Sequence, residues 1–186
     1  MDLSFNTLAS GISSEIEEAN VTKSAVDVAE SLLKHRTRFL LVQQLCQVPA
    51  LWLMPVFQRE NPSFTAYFGN GDPLDKPTTH VPKHRGPFAT WEDGVVDSLK
   101  LDHITSVKGW TWVRACYEWE AWNGFGVREY HGRPTGYVWA WTNVYQGGKY
   151  LADGKWSRGT WDTQPGCFAV AKAIAALDEE IGKGLS

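Results

Sequence analysis

One segment near the middle of the chain carries apolar side chains on nearly every side of a predicted helix. The helix runs from about Lys108 to Trp122, and its bulky or apolar members are Trp110, Trp112, Val113, Ala115, Cys116, Tyr117, Trp119, Ala121 and Trp122. A helix that is apolar all round is buried inside a domain. We therefore expect a mainly α-helical fold with this segment at its centre, and the length of 186 residues predicts one domain.

The residues outside this segment predict an N-terminal arm and further helices of the domain. Residues 1–21 have weak periodicity, which predicts a mobile arm or a short helix, and residues 22–186 are expected to form the single domain. Thr22 is a candidate N-cap for one helix, and Phe39 belongs to the next. Pro165 is expected to open a C-terminal helix that Gly182 closes.

A further apolar run, residues 50–57, leads up to Glu60. Pro55 inside the run predicts a kink or break. Pro62 disfavours helical conformation at Asn61, so Glu60 is expected in the final helical turn, where the chain opens into a loop. This placement would bring a carboxylate from an apolar helix to the surface of the domain.

A second carboxylate follows in a different setting. Asp72 lies in the tight turn Gly69-Asn70-Gly71-Asp72-Pro73, at the start of a stretch that runs to Phe88 and predicts a long ordered loop or a small hairpin. Two carboxyl groups, one desolvated and one hydrated, are typical of enzymes that cleave sugar linkages with acid assistance. The alternative interpretation is a Glu that caps a helix and an Asp that binds backbone.

Glu120, on the aromatic helix, is a third catalytic candidate. It shares a stripe with Val113, Cys116 and Tyr117, whereas Glu118 is placed to pair with Arg114. A carboxylate on a buried face is either paired or raised in pKa, and the second outcome favours a functional acid. A buried structural Glu remains the equal alternative.

Aromatic and amide side chains supply candidates for sugar binding. Aromatic residues alternate with Gly and polar residues from Tyr130 to Trp161. Sugar C–H faces stack on flat rings, and hydroxyl groups need polar partners. The candidate substrate-binding residues are Asn70, Asn123, Tyr137, Trp139, Trp141, Tyr145 and Tyr150.

Composition narrows the remaining classes of function. The net charge of −3 disfavours a general nucleic-acid binder, and the longest apolar segments are too short to span a bilayer. No secretion signal is apparent, and three cysteines without metal spacing predict reduced thiols in a cytoplasmic protein. His80 and His84 flank Pro82 without a third ligand, so we predict no metal and no cofactor.

Several short motifs, in order, resemble a lysozyme-like family of phage endolysins and bacterial peptidoglycan hydrolases. The similarity covers roughly residues 50 to 178, and its main segments are Arg59-Glu60, Asn70-Gly71-Asp72-Pro73-Leu74, Glu120-Ala121-Trp122-Asn123-Gly124-Phe125-Gly126, Tyr137-Val138-Trp139, Gly148-Lys149-Tyr150 and Ala152-Asp153-Gly154. The family is distantly similar to goose-type lysozymes and lytic transglycosylases, in which the catalytic Glu ends a helix. The resemblance implies a lysozyme-like helical domain with Glu60 as the acid.

The resemblance also implies a biological setting. A catalytic domain of this kind would act on bacterial peptidoglycan as a monomer, without inserting in a membrane, and would wait in the host cytoplasm until it is released to the cell wall. The Gly-Leu-Met-Gln segment of soluble lytic transglycosylases has no counterpart here, which favours hydrolysis. The alternatives are a lytic transglycosylase, a non-catalytic virion or wall-binding protein, and a cysteine amidase or endopeptidase that uses Cys167.

Overall fold

A computed structural model describes residues 1–152 and 154–185, and these residues form a mainly helical fold with one small sheet. The helices are α1 Phe5–Glu18, α2 Val26–Leu33, α3 Arg36–Cys46, α4 Ala50–Arg59, α5 Trp91–Leu101, α6 Trp112–Asn123, α7 Gly126–His131, α8 Gly136–Trp139, α9 Cys167–Leu177 and α10 Glu179–Gly182. A 3-10 turn spans Ile104–Ser106, and strands β1 Lys149–Ala152 and β2 Lys155–Ser157 pair antiparallel. The prediction of a mainly α-helical fold is confirmed.

The helix buried on all sides is α4. Every residue from 50 to 57 is buried, and α4 packs against α3, α6, α9 and α10. The sequence had predicted this position for α6, which buries Ala115, Cys116, Glu118, Trp119 and Glu120 but leaves the rest of its surface partly accessible. α6 lies between α1 and the core, so it is an internal helix as predicted, but it is less completely buried than α4.

The chain leaves α4 where the sequence predicted. Glu60 is the C-cap residue, with its N–H bonded to the Val56 carbonyl at 2.9 Å, and the helix ends before Pro62. Pro55 does not break the helix, which continues through it in one span. Pro55 has no N–H donor for its helical turn. Residues 50–57 are all buried, so packing against neighbouring helices supports this turn.

The N-terminal residues form a helix that belongs to the core, the second of the two predicted alternatives. Ile12 of α1 is fully buried, and α1 packs along α6. An ion-pair cluster joins the same elements, because Arg128 contacts Glu15 of α1 at 2.9 Å and Glu120 of α6 at 2.8 Å. In the structure, the boundary predicted at residue 21 does not separate a loose arm from the domain.

Some of the predicted helix ends and side-chain pairs are confirmed, and others are wrong. Arg114 pairs with Glu118 at 2.7 Å, as predicted, and Thr90 is the N-cap of α5, where it accepts a hydrogen bond from the Asp93 N–H at 3.1 Å. Thr22 does not cap α2, since α2 begins at Val26 and the Thr22 N–H bonds the Trp141 carbonyl. The predicted C-terminal helix is interrupted at Asp178, which caps α10.

The loop after α4 is irregular, and the hairpin is elsewhere. Between α4 and α5 the chain has turns and one isolated bridge, between Ala66 and Pro73, so the alternative of a long loop is the one observed. The hairpin pairs Tyr150 with Trp156. Asp153, in a segment that carried the resemblance, lies outside the described residues.

No helix in the described ranges is by itself long and apolar enough to cross a bilayer; α3 and α4 reach that length and composition only as a pair, with a bend of 119° between them.

Replacement of Ile12 by Ala tests whether α1 belongs to the domain. Ile12 is fully buried against the core, so we expect Ile12→Ala to lower the free energy of unfolding by about 2–5 kcal/mol. The matched control is Leu45→Ala, at a side chain that is 56% exposed, for which we expect less than about 1 kcal/mol. Urea unfolding measures both. Equal small effects would mean that α1 is dispensable for the core.

Candidate active site

Glu60 is held by one of its two carboxylate oxygens. The Tyr137 hydroxyl donates to Oε1 at 2.7 Å, and the Trp122 indole Nε1–H donates to the same oxygen at 3.0 Å. Oε2 accepts no hydrogen bond from the described residues, and it is not among their buried polar atoms that lack a partner. The carboxylate is therefore fixed at one oxygen and free at the other to meet a ligand.

The two donors come from different elements, each fixed by packing. Trp122 lies in the last turn of α6, and its ring contacts Trp52 and Phe68 with centroid distances of 6.0 and 5.4 Å. Tyr137 lies in α8, whose N-cap Thr135 accepts from the Tyr137 N–H at 3.3 Å. Burial raises the pKa of the Tyr137 hydroxyl well above its usual range, so it remains a donor to Glu60.

A cavity of about 420 Å³ lies beside this group. Its described lining residues are Arg59, Asn123, Val127, Thr135, Gly136, Tyr137, Tyr145, Gly148, Lys149, Tyr150, Leu151, Ala152, Gly154 and Asp162. A larger cavity of about 830 Å³ is bordered by Asn61, Phe64 and Gly71, among others. Arg59, which precedes Glu60, thus borders the smaller cavity, and Asn61, which follows Glu60, borders the larger one.

A buried ion pair supports the first cavity. Arg59 Nη2 contacts Asp162 Oδ2 at 2.8 Å, and both side chains are more than nine-tenths buried. The other oxygen of Asp162 contacts Lys149 Nζ at 3.2 Å. Burial favours the neutral acid, but the hydrogen bond and charge of Arg59 prevail and hold the pKa of Asp162 below its usual range. Asp162 is therefore a carboxylate that neutralises Arg59.

Asp72 has a full set of partners within its own loop. Its Oδ2 accepts the Thr79 and His80 N–H groups at 2.7 and 2.8 Å, and its Oδ1 lies 2.7 Å from His80 Nδ1. These hydrogen bonds, with the His80 backbone first, lower the pKa of Asp72 to about 2. The observed contacts match the alternative of an Asp that binds backbone, and none of them involves Glu60.

Glu120 is also engaged away from Glu60. Arg128 Nε bonds both of its oxygens, at 2.9 and 3.0 Å, and Glu120 is 1% exposed. Burial raises the pKa of Glu120 above its usual value, with Arg128 opposing that shift. The sequence left open a paired or a functional acid. The contacts are those of a paired carboxylate at the α1–α6 interface.

The predicted sugar-binding residues are only partly brought together. Asn123, Tyr137, Tyr145 and Tyr150 line the 420 Å³ cavity. Trp139 is 1% exposed with its ring against Phe168, and Trp141 packs under Lys23, 4.1 Å from its ring centroid. Asn70 binds its own loop, since its Oδ1 accepts the Asp72 N–H at 3.0 Å.

Sequence reasoning missed three participants. Trp122 and Lys149 belonged to segments that carried the resemblance but were not predicted as site residues, and Asp162 was not named. The spacing of Trp122 from Glu60 along the chain carries no information on their contact. The available signal was the Trp122-Asn123-Gly124 motif, in which Gly124 ends α6 with a φ of +87°.

The cysteines have surroundings that disfavour nucleophilic chemistry. Cys116 and Cys167 are buried, and burial raises the pKa of each thiol strongly, which suppresses the reactive thiolate. Among residues 1–152 and 154–185, no group of three or more His, Cys, Asp or Glu side chains is arranged to hold a metal ion.

The Asp72 carboxylate gives a pH test of the loop. Its pKa is lowered from 3.8 to about 2 in the folded protein, so its stabilising effect is complete above about pH 4 and is lost as the pH falls through 2. We expect Asp72→Asn to destabilise the protein at pH 6, and the difference from wild type to shrink between pH 4 and pH 2. Urea unfolding at a series of pH values measures this difference. A difference that stays constant down to pH 2 would refute the assignment.

Comparison with family models, with curated proteins and with solved structures found no match for this chain.

Proposed function

We propose that this protein is a lysozyme-type glycoside hydrolase that cleaves the glycan strands of bacterial peptidoglycan, with Glu60 as the proton donor. The observation that carries the proposal is the one-sided anchoring of the Glu60 carboxylate at the end of a buried helix, between residues that border two cavities. An acid that cleaves inside a polymer needs space for sugars on both sides of the scissile bond. The resemblance of the sequence motifs to phage endolysins supports the same choice.

The proposed chemical step uses the two oxygens of Glu60 differently. The proton leaves Oε2 for the glycosidic oxygen, the C–O bond to the leaving sugar breaks, and positive charge develops on the remaining sugar ring. Oε1 keeps its bonds to Tyr137 and Trp122, which stabilise the carboxylate that forms. A water molecule then adds to the sugar carbon and returns a proton to Glu60.

The cavity beside Tyr137 has the groups that a sugar would use. Tyr150 and Asn123 offer a partly accessible ring and an exposed amide, whereas Tyr137 and Tyr145 are largely buried and present only part of their surface. Aromatic faces and amide groups are suited to sugar C–H groups and hydroxyls. Trp139, Trp141 and Asn70 are not part of the proposed site, because their contacts lie in the core or in their own loops.

A second carboxylate opposite Glu60 is not required by the proposal. Asp72 and Glu120 have their oxygens occupied by other partners, so neither is proposed as the catalytic partner. This arrangement keeps the alternative of a lytic transglycosylase, in which a hydroxyl of the sugar itself attacks in place of water. The two reactions share the same proton donor and differ in their products.

The proposed biological role is that of an endolysin released from the host cytoplasm to the cell wall. A wall-binding protein with the same fold and no turnover is the competing role. The endolysin role requires catalysis by Glu60, whereas the wall-binding role does not.

Replacement of Glu60 by Gln tests the acid. The amide keeps the shape and can still accept from Tyr137 but cannot supply the proton, so we expect a loss of about 10²–10⁴-fold in the rate of peptidoglycan lysis. Glu30→Gln, on an exposed position of α2, is the matched control and is expected to retain full activity. Thermal melting of both variants checks the fold. Lysis by Glu60→Gln at the wild-type rate would exclude Glu60 as the acid.

Mass spectrometry of the digested glycan tests the reaction. We expect disaccharide-based fragments with reducing ends, because water completes the proposed step. Fragments with anhydro ends would identify the transglycosylase, and free peptides would point to amidase or endopeptidase chemistry. Binding to peptidoglycan without any product would support the wall-binding role.

A further inference from the structure

Two cations share one carboxylate in the wall of the 420 Å³ cavity. Arg59 and Lys149 both contact Asp162, at 2.8 and 3.2 Å. Arg59 uses its guanidinium deep in the wall, where its side chain is 8% exposed and one of its amino groups also reaches the Pro165 carbonyl at 3.4 Å. The stronger and more buried partner of Asp162 is therefore Arg59, which leaves Lys149 incompletely neutralised.

Lys149 is the more accessible of these two cations. Its side chain is 40% exposed and lines the cavity, and the described partner of its ammonium group is Asp162. A lysine ammonium group has three N–H donors, so donors remain for a ligand. The contact with Asp162 therefore leaves part of the ammonium group open to an anion in the cavity.

The backbone around Lys149 is fixed on both sides. Gly148 has a φ of +97°, and a Cβ at this position would lie 2.3 Å from the Trp156 ring, so the strand begins in close contact with that ring. On the other side, the Tyr150 hydroxyl lies 3.0 Å from His131 Nε2, and the His131 ring stacks on Trp156 at 3.9 Å. These contacts hold the start of β1 against α7, which orients Lys149 before a ligand arrives.

From this geometry we infer that Lys149 binds a carboxylate on the substrate. The inference rests on the proposed function and deepens it: the favoured substrate is a glycan that bears carboxylates on its peptide side branches, in preference to a neutral glycan of the same backbone. Lys149 acts as a specificity-determining residue, since it contributes charge to binding and takes no part in proton transfer. The hairpin that carries it is then the part of the fold that recognises the side branch.

The test compares one substrate with and without its charge. Soluble glycan–peptide fragments are prepared with free carboxyl groups, or with those groups converted to neutral methylamides. Binding is measured by calorimetry on the Glu60→Gln protein, so that turnover does not interfere, and on the same protein carrying Lys149→Gln, Lys149→Arg or the exposed control Lys34→Gln. Steady-state kinetics with the active enzyme supply KM and kcat for the same Lys149 variants.

We expect Lys149→Gln to weaken binding of the free-carboxyl fragment about tenfold and to raise KM similarly, with kcat retained and the methylamide fragment unaffected. Lys149→Arg and Lys34→Gln are expected to bind as the parent does. Equal loss for both fragments, no loss for either, or no preference of the parent for the charged fragment would each overturn the inference. The comparison of the charged and methylamide fragments on the parent protein needs no Lys149 variant. It therefore tests the inference even if Lys149→Gln fails to fold.

The same design separates this inference from the proposed function. If the wild-type protein releases no glycan products but the parent still prefers the charged fragment through Lys149, the hydrolase proposal fails and the carboxylate site stands. If products appear but the preference is absent, the hydrolase stands and the carboxylate site fails.

Discussion

The burial of α4 on all sides is the constraint on which the rest of the structure depends. A segment with eight consecutive buried residues has no solvent-facing side, so helices must cover it from several directions. The Trp119 indole N–H donates to the Trp52 carbonyl at 3.0 Å and ties α6 to this helix. Because α4 is fixed in the middle of the fold, Glu60 at its end has a defined position.

Two largely buried arginines are each paired with carboxylates. Arg59 is neutralised by Asp162, and Arg128 is shared by Glu15 and Glu120. Such pairs gain little net stability, because desolvation offsets most of the attraction, but removal of one partner leaves a costly unpaired charge. These pairs fix the positions of structural elements. The pair Arg59–Asp162 fixes the wall of the smaller cavity, and the contacts of Arg128 fix α1 and α7 against α6.

Local signals in the sequence predicted some helix ends, whereas contacts between distant parts of the chain could not be predicted from them. Pro62 acts on its immediate neighbours, so the end of α4 could be predicted from it. The apolar circumference of α6 predicted an internal helix, but which of its residues are fully buried depends on tertiary packing against α1 and the core. The hairpin at Lys149 was missed because its strands are too short for a clear alternation and depend on Trp156 and His131 for support.

The compensation of Arg59 also bears on the proposed acid. Arg59 precedes Glu60 in the chain, and a carboxylate paired with an arginine would be held in its charged form, which makes it a poor proton donor. Two amino groups of Arg59 donate to Asp162 and to the Pro165 carbonyl, while its guanidinium carbon lies 4.9 Å from the centroid of the Tyr137 ring. Glu60 instead bonds two neutral donors, Tyr137 and Trp122, which position it without adding a positive charge. Asp162 therefore binds the cation that precedes Glu60 in the chain, while the side-chain partners of Glu60 among the described residues are both neutral.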